Sequence, residues 1–126
     1  MPMFRLLFVD DDAFVLSAYQ RMLRATPYQC EFLQSPELVL TLPELADFDI
    51  AFIDQQMPVV TGSQLLMQLQ LRYPAIKRVL VSGDAEQALQ HKAAELILDA
   101  VLSKPCSKLT LVNCIEQLNS GRPARL

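Results

Sequence analysis

The feature that most constrains this chain is an alternation of short apolar runs with helix-patterned segments. The runs are FRLLFV (4–9), QCEFLQ (29–34), DIAFID (49–54), KRVLVSG (77–83) and AVLSK (100–104), the second being the weakest. Between and after them stand AFVLSAYQRMLRA (13–25), PELVLTLPELA (36–46), GSQLLMQLQLRY (62–73), AEQALQHKAAEL (85–96) and SKLTLVNCIEQL (107–118). Strands that alternate with helices pair in parallel, because each helix carries the chain back to the starting edge. A parallel strand is covered on both faces and so reads as a continuous apolar run. The pattern predicts an α/β fold: a doubly wound, five-stranded parallel sheet with five helices.

The helical segments carry their own signals. Val15, Tyr19, Met22 and Leu23 form one stripe, with Asp12 as N-cap and Pro27 beyond the end. Pro36 suits a first helical position, but Pro43 interrupts the segment it opens, so the second helix is expected to be short or irregular. Leu65, Leu66 and Leu69 mark the core side of the third helix, which Pro74 closes. Leu109, Val112, Ile115 and Leu118 are expected on the buried face of the fifth, with Ser107 as its cap.

A chain of 126 residues, 52% hydrophobic and 20% charged, suffices for one domain with a real core. A net charge of −3 argues against direct nucleic-acid binding, which needs a basic footprint. Cys30, Cys106 and Cys114 are odd in number and lack metal-ligand spacing, so reduced thiols in a cytoplasmic protein are expected. The opening MPMFRLLFVDDD meets three acids too early for a signal peptide, and no run is long enough to span a membrane.

In doubly wound sheets ligands bind beyond the carboxyl ends of the strands. There the sequence places Asp10, Asp11 and Asp12 after the first strand, Asp54 after the third, Ser82 and Gly83 after the fourth, and Lys104 and Pro105 after the fifth. The second strand contributes nothing obvious. Clustered carboxylates raise one another's pKa unless a cation balances them. All-oxygen ligands select a hard ion, and Mg²⁺ suits one or two carboxylates plus a phosphoryl group. A lysine and a hydroxyl beside that ion fit the negative oxygens of such a group. Alone, each residue has an ordinary reading: Asp10 or Asp12 as a cap, Asp54 as a turn residue, Ser82 as a strand end and Lys104 as a surface lysine. His91, in LQHKAAE, is expected to be solvated, and Met57 to pack.

Taken in order, FVDDD, FIDQQMPVVTG, LVSGD and LSKP resemble the receiver domain of two-component response regulators, the family of the chemotaxis response regulator. The resemblance covers residues 3–119. It implies a flavodoxin-like strand order 2-1-3-4-5 and a receiver domain over 1–119, with 120–126 a tail or the start of a linker. By the same resemblance Asp54 is the phosphoacceptor, served by a histidine kinase or phosphotransfer protein. Asp10, Asp11, Asp54 and the backbone carbonyl of Gln56 hold Mg²⁺. Lys104 pairs with Asp54 or the phosphoryl oxygens, Ser82 hydrogen-bonds and reports the group, and Gly83 lets the backbone approach. Gln56 and Asp84 flank the path of attacking water and tune the phosphoryl lifetime. The bond before Pro105 is expected to be cis, which X-Pro tolerates cheaply. Such a protein catalyses only its own phosphorylation and dephosphorylation and is otherwise no enzyme.

The chain also departs from the family. The usual aromatic switch position is Val101, which has no ring to swing, and Cys106 stands where Phe is common. The last helix lacks the charged pattern that one transcription-factor subfamily uses to dimerise, so that dimer is not expected, and any phosphorylation-dependent dimer is expected to form differently. The expected output surface is the face of the fourth helix, fifth strand and fifth helix, serving an effector domain or partner that the sequence does not identify. Two alternatives compete with the switch. One is an inactive pseudo-receiver that only docks proteins. The other is a Mg-dependent phosphohydrolase, disfavoured because Gln56 stands where its acid/base aspartate belongs.

Overall fold

The computed structural model describes residues 4–120, without the side chain of Ser120. The segment expected as tail or linker lies, from residue 121 on, outside the described residues. The strands are β1 (Arg5–Val9), β2 (Gln29–Leu33), β3 (Ile50–Asp54), β4 (Lys77–Ser82) and β5 (Ala100–Ser103). The α-helices are α1 (Ala13–Leu23), α2 (Gly62–Arg72), α3 (Ala85–His91) and α4 (Lys108–Ser120). All strand pairs are parallel, in the order β2-β1-β3-β4-β5. The doubly wound sheet and its order stand as expected.

Side chains alternate between two cores, one on each face of the sheet. Leu6, Phe8, Ile50, Phe52, Val79, Val81 and Leu102 meet α1 and α4. Leu7, Val9, Ala51, Ile53 and Leu80 meet α2, α3 and the segment between β2 and β3. Period-two alternation thus serves two apolar layers at once, which is why the strands read as unbroken runs. Across the first face, Phe8 pairs in register with Phe32 and Phe52. Their rings stack at 5.3 and 4.7 Å, and Tyr19 of α1 lies 4.7 Å from Phe8. Offset aromatic contacts add to simple burial. At the amino edge Asp49 accepts the Arg5 N–H at 2.8 Å, and Asp99 accepts the Arg78 N–H at 2.7 Å.

Three elements differ from their sequence expectation. The second helix is not α-helical: it is two 3₁₀ segments, Pro36–Thr41 and Leu45–Asp47. Leu42, which precedes Pro43, is extended (φ −65°, ψ 126°), the conformation a following proline imposes. Helix α3 stops at His91 rather than Leu96. Side-chain bonds to the backbone, one local and the others from α2 and β4, hold the next residues out of helix. Lys92 Nζ donates to the Leu96 carbonyl, Gln70 bonds Glu95 O and Ile97 N, and Arg78 Nε donates to Ile97 O. The buried stripe of α4 is Leu111, Cys114 and Ile115, with Val112 and Leu118 partly buried, while Leu109 is 70% exposed. The Ser107 cap, which accepts the Thr110 N–H at 3.1 Å, leaves Leu109 in the open first turn. On α1 the stripe is Leu16, Tyr19 and Leu23, with Val15 and Met22 at its margin.

Candidate functional site

The site lies at the carboxyl edge of β1, β3, β4 and β5. At the end of β1 the three acids have separate partners. Asp12 is the N-cap of α1, its carboxylate accepting the Phe14 N–H at 2.9 Å. Asp10 Oδ1 accepts the Asp12 N–H at 2.9 Å, which fixes the turn. The Asp10 main chain is anchored to β2 through its N–H on Leu33 O, at 3.2 Å. Gln34, just past β2, donates its side-chain amide to Asp11 O at 3.1 Å. The second strand therefore does serve the site, through a residue whose role no sequence pattern announced.

Asp54 ends β3 and is 3% exposed. The next residue turns the chain: Gln55 N–H bonds Val81 O of β4, and its side-chain oxygen accepts the Ser63 N–H at 2.8 Å. Gly62, at the start of α2, lies directly on this turn. A Cβ there would sit 2.7 Å from the Asp54 carbonyl carbon, 3.0 Å from Gln55 Cα and closer still to the Asp54 carbonyl oxygen. Only glycine permits that approach. Thr61 then caps α2 in a reciprocal box with Gln64. Met57 is buried in the core, as its packing role requires. Val59 is fully exposed at φ 72°, a conformation β-branched residues rarely adopt.

Lys104 closes the site from β5. Its backbone N–H donates to Ser82 O at 2.9 Å, and its peptide bond to Pro105 is cis, as expected. Its Nζ donates to Asp10 Oδ2 at 2.8 Å and stands 3.0 Å from Asp54 Oδ1. The second contact sets the ammonium against a buried carboxylate oxygen as an ion pair. Burial pushes the Asp54 carboxyl above the ordinary carboxylate range. The Asp10 charge adds to that rise, while Lys104 and the Gln56 backbone N–H oppose it. Burial alone would lower Lys104, but the two carboxylates outweigh it and hold the ammonium charged.

The other expected site residues are less tightly held. Asp11 joins Asp10 and Asp54, with one carboxylate oxygen from each within 4.8 Å of the others. Ser82 is buried, and its hydroxyl accepts the Asp84 N–H at 3.1 Å. Asp84 caps α3. The Gln56 side chain is exposed, and so is His91. Val101 is half-buried against the core that holds Ala88 and Leu96. At Gly83 a Cβ would meet nothing within 4 Å. Tyr19, read from sequence only as core, lies close enough for the Asp10 charge to add to burial in raising its phenol.

Three carboxylates against one ammonium leave two negative charges uncompensated when all are ionised. A hard divalent cation supplies that balance, and the all-oxygen donor set of three carboxylates fits it.

The model of the response regulator receiver domain matches residues 6–116. The chain belongs to that family. Among solved structures, this receiver domain is similar to the signal receiver domain of an HD domain-containing protein from Pseudomonas fluorescens. That match has 26% identity and a TM-score of 0.85, covering 94% of this chain and 96% of that one. It is also similar to a CheY-like receiver domain protein from Methanospirillum hungatei (25% identity, TM-score 0.82, covering 94% and 96%). Among curated proteins it is 27% identical to the alginate biosynthesis transcriptional regulatory protein AlgB of Pseudomonas syringae, over 82% of this chain. The chain spans only 23% of that relative's length. Receiver domains act in phosphorylation-dependent two-component signalling, and the chain carries the fold and family of that role. Among the described residues no helix is long and apolar enough to cross a membrane.

Proposed function

We propose that this receiver domain is a phosphorylation-driven switch in which Asp54 accepts a phosphoryl group from a histidine kinase or phosphotransfer protein. The observation that carries this reading is the bridge made by Lys104. One ammonium reaches both Asp10, at 2.8 Å, and the buried Asp54, at 3.0 Å. Asp10, Asp11, Asp54 and the Gln56 carbonyl would hold Mg²⁺. When bound, the ion neutralises negative charge on the phosphoryl oxygens.

The protein's own residues do the rest. An Asp54 carboxylate oxygen attacks the phosphorus of a phosphohistidine. The P–N bond breaks, the imidazole nitrogen keeps the electron pair, and solvent protonates it. Lys104 stays beside the group as a fixed positive charge. The Ser82 hydroxyl donates to a phosphoryl oxygen. Gln56 and Asp84 border the approach of water, which returns the aspartate by attacking phosphorus and releasing phosphate. The domain thus turns over only its own phosphoryl group. The added charge, about −1.5 to −2, biases the face of α3, β5 and α4 between two packings. That face serves an effector domain or partner protein, in the cytoplasm.

Incubation with acetyl phosphate and Mg²⁺, followed by intact mass, tests the reading. The expected result is one phosphoryl adduct per chain, lost in Asp54→Asn. No adduct would mark a docking pseudo-receiver, and turnover of many equivalents would mark a phosphohydrolase.

A further inference from the structure

Ser82 ends β4 and Asp84 caps α3, so one residue separates the hydroxyl from the helix start. Two hydrogen bonds link them in series. The Asp84 N–H donates to Ser82 Oγ at 3.1 Å, and the Gln87 N–H donates to the Asp84 carboxylate at 3.0 Å. The helix they start has only 7 residues and one buried side chain, Ala88. A helix that short does not sustain itself in water and depends on its cap and its packing. It cannot lengthen without breaking other bonds, because Lys92, Gln70 and Arg78 hold the following residues in a non-helical path. On the other side Val101 packs against the same core as Ala88 and Leu96. It has no ring with which to relay a movement.

Resting on the reading of Asp54 as phosphoacceptor, the geometry points to the folding of α3 itself as the output of this domain. A Ser82 hydroxyl drawn toward a phosphoryl group gives up the Asp84 N–H. The cap then loses the bond that orients it, and the first turn of α3 frays. The signal leaves the site as a loss of helix, through Ser82, Asp84 and Gln87. An inward-swinging aromatic side chain has no part in it.

Amide hydrogen exchange on the Mg²⁺-loaded protein, with and without beryllofluoride, tests this. Fluorine NMR reports whether the analogue is bound. With analogue bound, the amides of residues 87–91 should exchange about fivefold faster, the factor expected for losing one N-cap. The amides of β1 and β3 should not change. Asp84→Ala should speed the same helical amides before any analogue is added, and the analogue should then add little. Bound analogue with unchanged or slower exchange across 87–91 overturns the inference and leaves the phosphoacceptor reading standing. Absence of bound analogue overturns both. The wild-type comparison decides even if the variant fails to fold.

Discussion

Replacing Gly62 by Ala tests whether the first turn of α2 holds the phosphoacceptor strand in place. The added methyl would press on backbone rather than on the end of a side chain: 2.7 Å from the Asp54 carbonyl carbon and 3.0 Å from Gln55 Cα. Backbone cannot rotate away, so the cost belongs at the upper end of overpacking, about 3 kcal/mol. Alanine recovers about 1 kcal/mol of helix propensity. The net loss is then about 2 kcal/mol, or a fall in Tm of roughly 6–10 °C for a domain of this size. Urea unfolding should show a lower midpoint at unchanged slope. Because the strained carbonyl belongs to Asp54, phosphorylation by acetyl phosphate should slow as well. Gly83→Ala is the control, since its Cβ would meet nothing within 4 Å. It should lie within about 0.5 kcal/mol of wild type or gain slightly from a less flexible unfolded chain. Equal stability and equal phosphorylation for Gly62→Ala and wild type would refute the steric argument.

Three further substitutions probe the same geometry. Asp54→Asn should stabilise the metal-free protein. The folded-state pKa of Asp54 is raised above 3.8, so both states are protonated below that pH and the ionised form costs stability as pH rises through the folded value. The advantage of the variant in Tm should therefore grow from acid to neutral pH in EDTA and shrink with Mg²⁺; a less stable variant at neutral pH in EDTA would contradict this. Val59→Gly relieves a β-branched residue at φ 72° and should raise the urea midpoint by the equivalent of about 1 kcal/mol. Gln34→Ala removes the side-chain donor to Asp11 O; calorimetric titration should show Mg²⁺ binding weakened about tenfold, and unchanged binding would mean the turn holds itself.

What the sequence showed and what it hid divide along a physical line. The strands were legible because burial on both faces leaves no polar interruption. Asp10, Asp54, Ser82 and Lys104 were legible because each interrupts an apolar run at the same edge. Interactions between distant segments were hidden. Residues 92–96 are good helix formers, yet Gln70 binds the backbone of Glu95 and Ile97, Arg78 binds that of Ile97, and these bonds override that propensity. The stripe of α4 was misphased at Leu109 because leucines at 109 and 111 both suit helical spacing, and only packing against α1 chooses between them. Gln34 could not be recognised as a prop for the acid turn, since its partner is a backbone carbonyl 23 residues away. In sequence Gly62 and Gly83 stand alike, each within a motif and at or just before the start of a helical segment. Only coordinates separate Gly62, pressed against Asp54, from Gly83, beside open space.

Two aspartates at the amino edge, Asp49 buried and Asp99 exposed, bear on genetics. Asp49 is 1% exposed and accepts the Arg5 N–H, and Asp99 accepts the Arg78 N–H, so each carboxylate starts a neighbouring strand. A screen for signalling-null alleles would recover substitutions at Asp49 and Asp99 beside those at Asp10 and Asp54, and all four would look alike by phenotype. They should part by abundance. Alleles at the amino edge would deplete the protein in the cell, whereas those at the carboxyl edge would leave it abundant and silent.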